Sequence, residues 1–197
     1  MPDLKLDPAD KLHVRQIAMF EVEKEDVFHL KNLYKLIYDW FRINKFTSLE
    51  NDEWPETLYM QRVLGNGNLE NHIWWRFHAN HFKSNYYKYF IKFDYQTLNM
   101  GTSEMTHKGK KVKTNKGDVI LRCTTYLMLD YNREWRDHPF LSFFEPFFIK
   151  RIMKHRVEEL RTDLWVLTYK LQDTIKQYLK MKSPYEMTKP FHPELGV

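Results

Sequence analysis

A single cysteine, Cys123, stands among 197 residues. One thiol cannot close a bridge within the chain, which excludes a disulfide-stapled scaffold, and without a second cysteine there is no CxxC pair to hold a structural metal. Glycine is scarce as well, with six residues. The one stretch that looks like a phosphate loop, "GNGN" at 65–68, is not followed by the helix whose N-terminus such a loop requires. No run approaches the ~18 uninterrupted apolar residues of a membrane-crossing helix, and the opening "MPDLKLDPADK" lacks the apolar core of a signal peptide. These absences lead to the expectation of a cytoplasmic protein. HExxH and clustered carboxylates are missing too. His72, His78 and His81 lie close in the chain, but on a strand residues three apart point to opposite faces, so no metal and no cofactor are expected. Asp94, Asp130 and Asp137 have no identifiable base beside them, and Cys123 falls on the apolar face of its segment, where a thiol behaves as a small hydrophobe. Nothing in the chain indicates a reaction.

What it has in excess is aromatic side chains, 14 Phe, 12 Tyr and 6 Trp. Rings in such number either fill a core or leave a hollow able to stack a flat or greasy guest. Basic charge is concentrated. The formal net charge is +5, and "THKGKKVKTNKGD" alone supplies Lys108, Lys110, Lys111, Lys113 and Lys116, so the rest of the chain is formally neutral. Between two strands these lysines belong on a projecting hairpin, where they either bind an extended anion, an RNA or an anionic membrane surface, or protect a strand edge from aggregation.

The hydrophobic period changes along the chain. A strand is expected over about 13–22. Val27, Leu30, Leu33, Tyr34, Ile37, Trp40 and Phe41 then recur at three and four, predicting a helix over about 24–44 with Glu23, Glu25 and Asp26 at its dipole-positive start. From Thr57 the period is two: two strands joined across Gly65-Asn66-Gly67, a third from Tyr87 and a fourth around Val119–Leu129, each with one dry face. "HPFLSFFEPFFIKRIMKHR", His138–Arg156, carries five phenylalanines ahead of basic residues. There Ser142 and Glu145 form a candidate capping box. From Ser142 or Pro146 one helix is expected to Met181, on the order of 50 Å long. The fold expected is α+β: a curved antiparallel sheet of about five to six strands packed on a long C-terminal helix, with an N-terminal helix. It forms one domain over 1–181, followed by an extended or disordered tail over 182–197.

That order of elements, over residues 13 to 181, resembles the helix-grip fold of the START and SRPBCC superfamily. The resemblance implies a sheet wrapped around the last helix with a hydrophobic cavity between them. Trp75, Phe77, Tyr89, Ile91, Phe93, Leu121 and Leu127 would line it from the sheet, and Phe144, Phe148 and Met153 from the helix. The function expected first is therefore non-enzymatic binding of a hydrophobic or aromatic, lipid-like small molecule. Two alternatives stand beside it. One is a basic accessory protein docking on RNA or a ribonucleoprotein through the lysine hairpin. The other is a subunit that pairs with a second copy through the long helix, whose stretch Leu171, Ile175 and Tyr178 lies beyond the expected cover of the sheet.

Overall fold

Alternation of apolar and polar residues becomes, in the computed structural model, a six-stranded antiparallel sheet. The structure describes residues 10–48, 55–79, 84–107 and 110–181; the expected tail over 182–197 lies outside them. In chain order the elements are β1 (Val14–Phe28), α1 (Leu30–Ile43), β2 (Thr47–Ser48), β3 (Glu56–Val63), β4 (Leu69–Ala79), β5 (Tyr87–His107), β6 (Lys110–Leu129), α2 (Leu141–Phe147), a π turn (Phe148–Ile152) and α3 (Lys154–Tyr178). The sheet runs β1-β6-β5-β4-β2, and β3 shares with β2 the outer edge of β4. It is curved and unclosed, and α3 packs on one face. The β3–β4 hairpin turns at Gly67, whose φ of 81° is the left-handed conformation that glycine adopts without strain.

Each long strand buries alternate residues on that face. β4 contributes Ile73, Trp75, Phe77 and Ala79; β5 contributes Tyr89, Ile91, Phe93 and Tyr95; β6 contributes Leu121, Cys123 and Leu127. α1 adds Leu33, Ile37 and Phe41, one stripe at a spacing of four. From α3 come Val157, Leu160, Leu164, Thr168, Leu171 and Ile175. The one polar member of that stripe is satisfied: Thr168 Oγ1 donates to Leu164 O at 2.7 Å and lies 3.2 Å from Thr125 Oγ1.

Three expectations from the sequence are corrected. The first strand does not stop at Val22 but stays paired with β6 as far as Phe28 opposite Asn115. Glu23, Glu25 and Asp26 are thus strand residues, and α1 is capped by His29, whose Nδ1 accepts from Asn32 N at 3.3 Å. The Ser142–Glu145 capping box does not form. His138 Nδ1 accepts from the backbone of Phe140 and Leu141 instead, at 3.2 Å each, and Glu145 is turned inward. Finally, the single long helix is broken. Pro146 lies inside α2, where it has no N–H for the Ser142 carbonyl, and a π turn follows, closed by Met153 N on Phe148 O at 2.9 Å. α3 itself has 25 residues, roughly 37 Å at 1.5 Å per residue.

The shorter helix fits the sheet to its end. Leu171 and Ile175 are 1% and 0% exposed and Tyr178 is half-buried, so most of the stretch that the sequence left for a second copy is covered within the chain. The long β1 is the reason. Its Lys24 ammonium caps the end of α3 by donating to Leu179 O, a favourable place for a cation, and Tyr178 Oη donates to His29 O at 2.9 Å. Two measurements check this. Ile175→Ala should lower unfolding free energy in urea by about 2–5 kcal/mol, whereas Trp165→Ala, on the outer face of α3, should change it by less than about 1 kcal/mol. Deletion after Leu167 should leave no cooperative unfolding transition.

Candidate functional site

The residues expected to line a cavity from the sheet all face inward. Trp75, Phe77, Tyr89, Ile91, Phe93, Leu121 and Leu127 are between 0% and 3% exposed. The helical side of that region differs from the expectation. Phe144 is 49% exposed and does not face the sheet. Phe148 is half-buried, stacked on Trp135 with ring centroids 4.4 Å apart. Met153 alone of the three packs against the inner core. The break after Pro146 is the cause, since it separates the phenylalanines from the stripe of α3. Their place is taken by α1: Phe41 stacks on Phe77 at 3.9 Å, and Tyr34 meets Trp75 edge-on at 4.7 Å. The spacing of Leu33, Ile37 and Phe41 already marked α1 as a covering helix; what it covers depends on the strand order.

Within this aromatic region lies a group of polar atoms without partners. Trp75 Nε1, Tyr95 Oη, Tyr34 Oη and Asn71 Oδ1 are all buried and make no hydrogen bond. Trp75 is 0%, Tyr95 1% and Asn71 5% exposed. They are neighbours. The β4–β5 register sets Ile73 opposite Tyr95 and Asn71 opposite Thr97, and the Tyr34 ring lies 6.2 Å from that of Tyr95. Asn71 spends its amide on Thr97 Oγ1 at 3.0 Å, leaving its carbonyl oxygen unmatched. A buried polar group left unpaired costs about 1–3 kcal/mol, and folded proteins pair the great majority of them. Tyr89, on the same face, is satisfied: its Oη donates to Leu160 O at 3.1 Å. Burial holds the Tyr95 phenol far above its ordinary range, and the nearby Tyr178 adds to the shift.

Tyr178 also lines a cleft of 470 Å³ that opens between the ends of β1 and α3 and the start of α1. Phe28, Val27 and Leu179 form its apolar wall; Lys24, His29, Asn32, Thr114 and Lys180 bring polar groups to its rim.

The lysine segment is a hairpin, as its place between two strands implied. β5 and β6 pair out to His107 opposite Lys110, with Lys111 opposite Thr106 and Lys116 opposite Gly101. Lys113 and Lys116 are exposed. Glu104 sits directly across from Lys113, an opposite-charge pair of the kind that stabilises antiparallel strands. Lys108 lies outside the described residues.

Of the three histidines, His81 also lies outside the described residues. His72 Nε2 is 3.0 Å from Glu70 Oε1, and His78 Nε2 is 3.2 Å from Thr47 Oγ1. Among the described residues no group of three or more His, Cys, Asp or Glu is placed to hold a metal ion, and no helix is long and apolar enough to cross a membrane. Cys123 is fully buried, which pushes its thiol up and out of the nucleophilic range. Burial acts on His78 in the opposite sense. Helped by the charge of Lys88, it pulls the imidazole down from 6.5 to about 4. The unfolded chain therefore takes up a proton at this residue before the folded one does, and stability falls as pH drops from about 6.5 towards about 4. Urea midpoints near pH 7 and near pH 5 should show this loss, and His78→Gln should reduce it by the contribution of up to one proton.

Comparison with known proteins brings no match, either to a protein-family model or to a curated sequence.

Proposed function

We propose that this chain binds a lipid-like small molecule, apolar along most of its length and polar at one end, between the inner face of the sheet and helices α1 and α3. The observation that carries the reading is the group of unpaired buried atoms on Tyr34, Asn71, Trp75 and Tyr95. Two phenol groups, an indole N–H and an amide carbonyl together offer both donors and acceptors. They match a carboxyl, hydroxyl or ester, and the rings around them match hydrocarbon. Binding pockets for small molecules have this composition, mostly apolar with a few convergent polar groups. Apolar guest surface removed from water would contribute roughly 25 cal/mol per Å². The cleft lined by Tyr178 and Leu179 would serve as an entrance, since the Tyr178 phenol also acts electrostatically on that of Tyr95. A sheet whose first strand lies beside its last, closed by a C-terminal helix, also supports a helix-grip arrangement. No reaction is required by this reading.

The test uses the phenol of Tyr95. Its hydroxyl makes no hydrogen bond within the chain, so Tyr95→Phe should leave the unfolding free energy unchanged or raise it by about 1–3 kcal/mol. The same change should weaken binding of a fluorescent fatty acid about tenfold, the equivalent of one lost hydrogen bond of about 1.4 kcal/mol. Phe93→Trp should block the single saturable site while the fold persists. Should no fatty-acid probe bind the native protein, and should organic extracts of the purified chain hold no small molecule, the proposal is wrong.

A further inference from the structure

α2 is an amphipathic helix turned inside out. Its one fully buried residue is a carboxylate, Glu145, while Phe140, Phe143, Phe144 and Phe147 are 72%, 82%, 49% and 60% exposed. These positions are three and four apart, so the rings share one face; Phe143 and Phe144 meet at 5.4 Å, Phe140 and Phe144 at 6.1 Å. In the π turn that follows, Ile152 is 64% exposed. A short helix rolling freely would hide its rings and free its acid. It is prevented from doing so by Glu145, whose Oε1 accepts from Tyr86 Oη at 3.3 Å and whose Oε2 lies 3.2 Å from His13 Nε2. His13 is held in turn by Asp10 at 2.8 Å from its other ring nitrogen. Removing a buried charge from such partners is strongly unfavourable, so the rings stay in solvent.

The charge directly after the rings is basic, with exposed Glu134 and Asp137 before them and Glu158 and Glu159 beyond. From His138 to Val157 the only acidic residue is Glu145, and it is buried. Lys150, Arg151, Lys154 and His155 are exposed on the adjoining turns. We infer that this face, α2 with the π turn, docks on the surface of an anionic phospholipid bilayer, with the phenylalanines at the level of the headgroups and the basic residues against lipid phosphates and carboxylates. Bulky rings projecting above a basic collar are the composition of interfacial membrane anchors, and basic side chains near an anionic surface add to the attraction. Glu159 pairs with His155 and Arg156, while Lys150, Arg151 and Lys154 stand exposed beside the rings, where an anionic surface would attract them. This surface is separate from the interior site and stands whether or not the interior holds a ligand.

The experiment is flotation of the full chain with phosphatidylcholine vesicles, with and without phosphatidylserine. Binding should require phosphatidylserine and fall as salt is raised. The exposed double variant Phe143→Ala/Phe147→Ala and the triple variant Lys150→Glu/Arg151→Glu/Lys154→Glu should keep the wild-type melting temperature. The triple variant should lose about a hundredfold or more in vesicle affinity, with each basic residue contributing about a factor of five. Because Cys123 is buried, Phe147→Cys can be labelled selectively with an environment-sensitive dye, which should shift to the blue on vesicles. Three outcomes would overturn the inference: no binding by the folded wild type, binding that survives both variants but is lost in Lys113→Glu/Lys116→Glu, or a concentration-dependent dimer abolished by Phe143→Ala/Phe147→Ala without any vesicle binding.

Discussion

The packing of α3 across the inner face of the sheet is the contact on which the remaining structure depends. The inner face of β5 over 89–95 and of β6 over 119–129 is buried and, apart from Thr125, apolar. A helix stripe from Val157 to Ile175 covers one part of it, and α1 covers the part near Trp75 and Phe77. Because β1 runs on to Phe28 beside β6, the cover extends to the last turn of α3. The Lys24 ammonium and the Tyr178 hydroxyl close that end by direct hydrogen bonds to backbone carbonyls.

Two buried polar clusters sit in this framework, and they differ in one respect. Near the β6–α2 connection the buried Asp130 carboxylate is held by several donors. Asp130, 1% exposed, accepts from Trp135 N at 3.1 Å and from Arg136 N at 3.0 Å, and Arg136 Nη1 continues to Asp10 Oδ2 at 2.9 Å. That network fixes the loop and, through His13 and Glu145, the orientation of α2. Beside α1 the polar atoms of Tyr34, Asn71, Trp75 and Tyr95 are left unmatched. In the first cluster Asp130 and Arg136 are linked by several hydrogen bonds; in the second four polar atoms lie close together without partners. This contrast within one molecule separates a structural polar network from a candidate binding site.

Much of the sheet was legible in the chain. Alternation placed Trp75, Phe77, Tyr89, Ile91, Phe93, Leu121 and Leu127 on one face, and Gly65-Asn66-Gly67 marked the turn before β4, because side-chain direction on a strand follows from chemistry two residues away. The end of β1 was not legible. Glu23, Glu25 and Asp26 carry a helix-start signature, and only pairing with β6 overrides it. The placement of the phenylalanine cluster was open in the sequence for a similar reason. Whether five rings in nine residues face the core or the outside depends on distant partners for Glu145.

The sequence by itself determined most element types, the inward faces of β4, β5 and β6 and the hairpin that carries the lysines, since these depend on neighbours within a few residues. β3, expected to keep one dry face, is exposed along nearly all its length. Only the tertiary structure decided the rest: that α1 and not α2 closes the aromatic region, that the end of α3 is covered within the chain, and that Phe140, Phe143, Phe144 and Phe147 face outward. The physical reason is that each of these outcomes depends on hydrogen bonds, ion pairs or packing between residues far apart in the chain, Glu145 with His13 and Tyr86, Tyr178 with His29, Phe41 with Phe77. A local pattern carries no record of such partners.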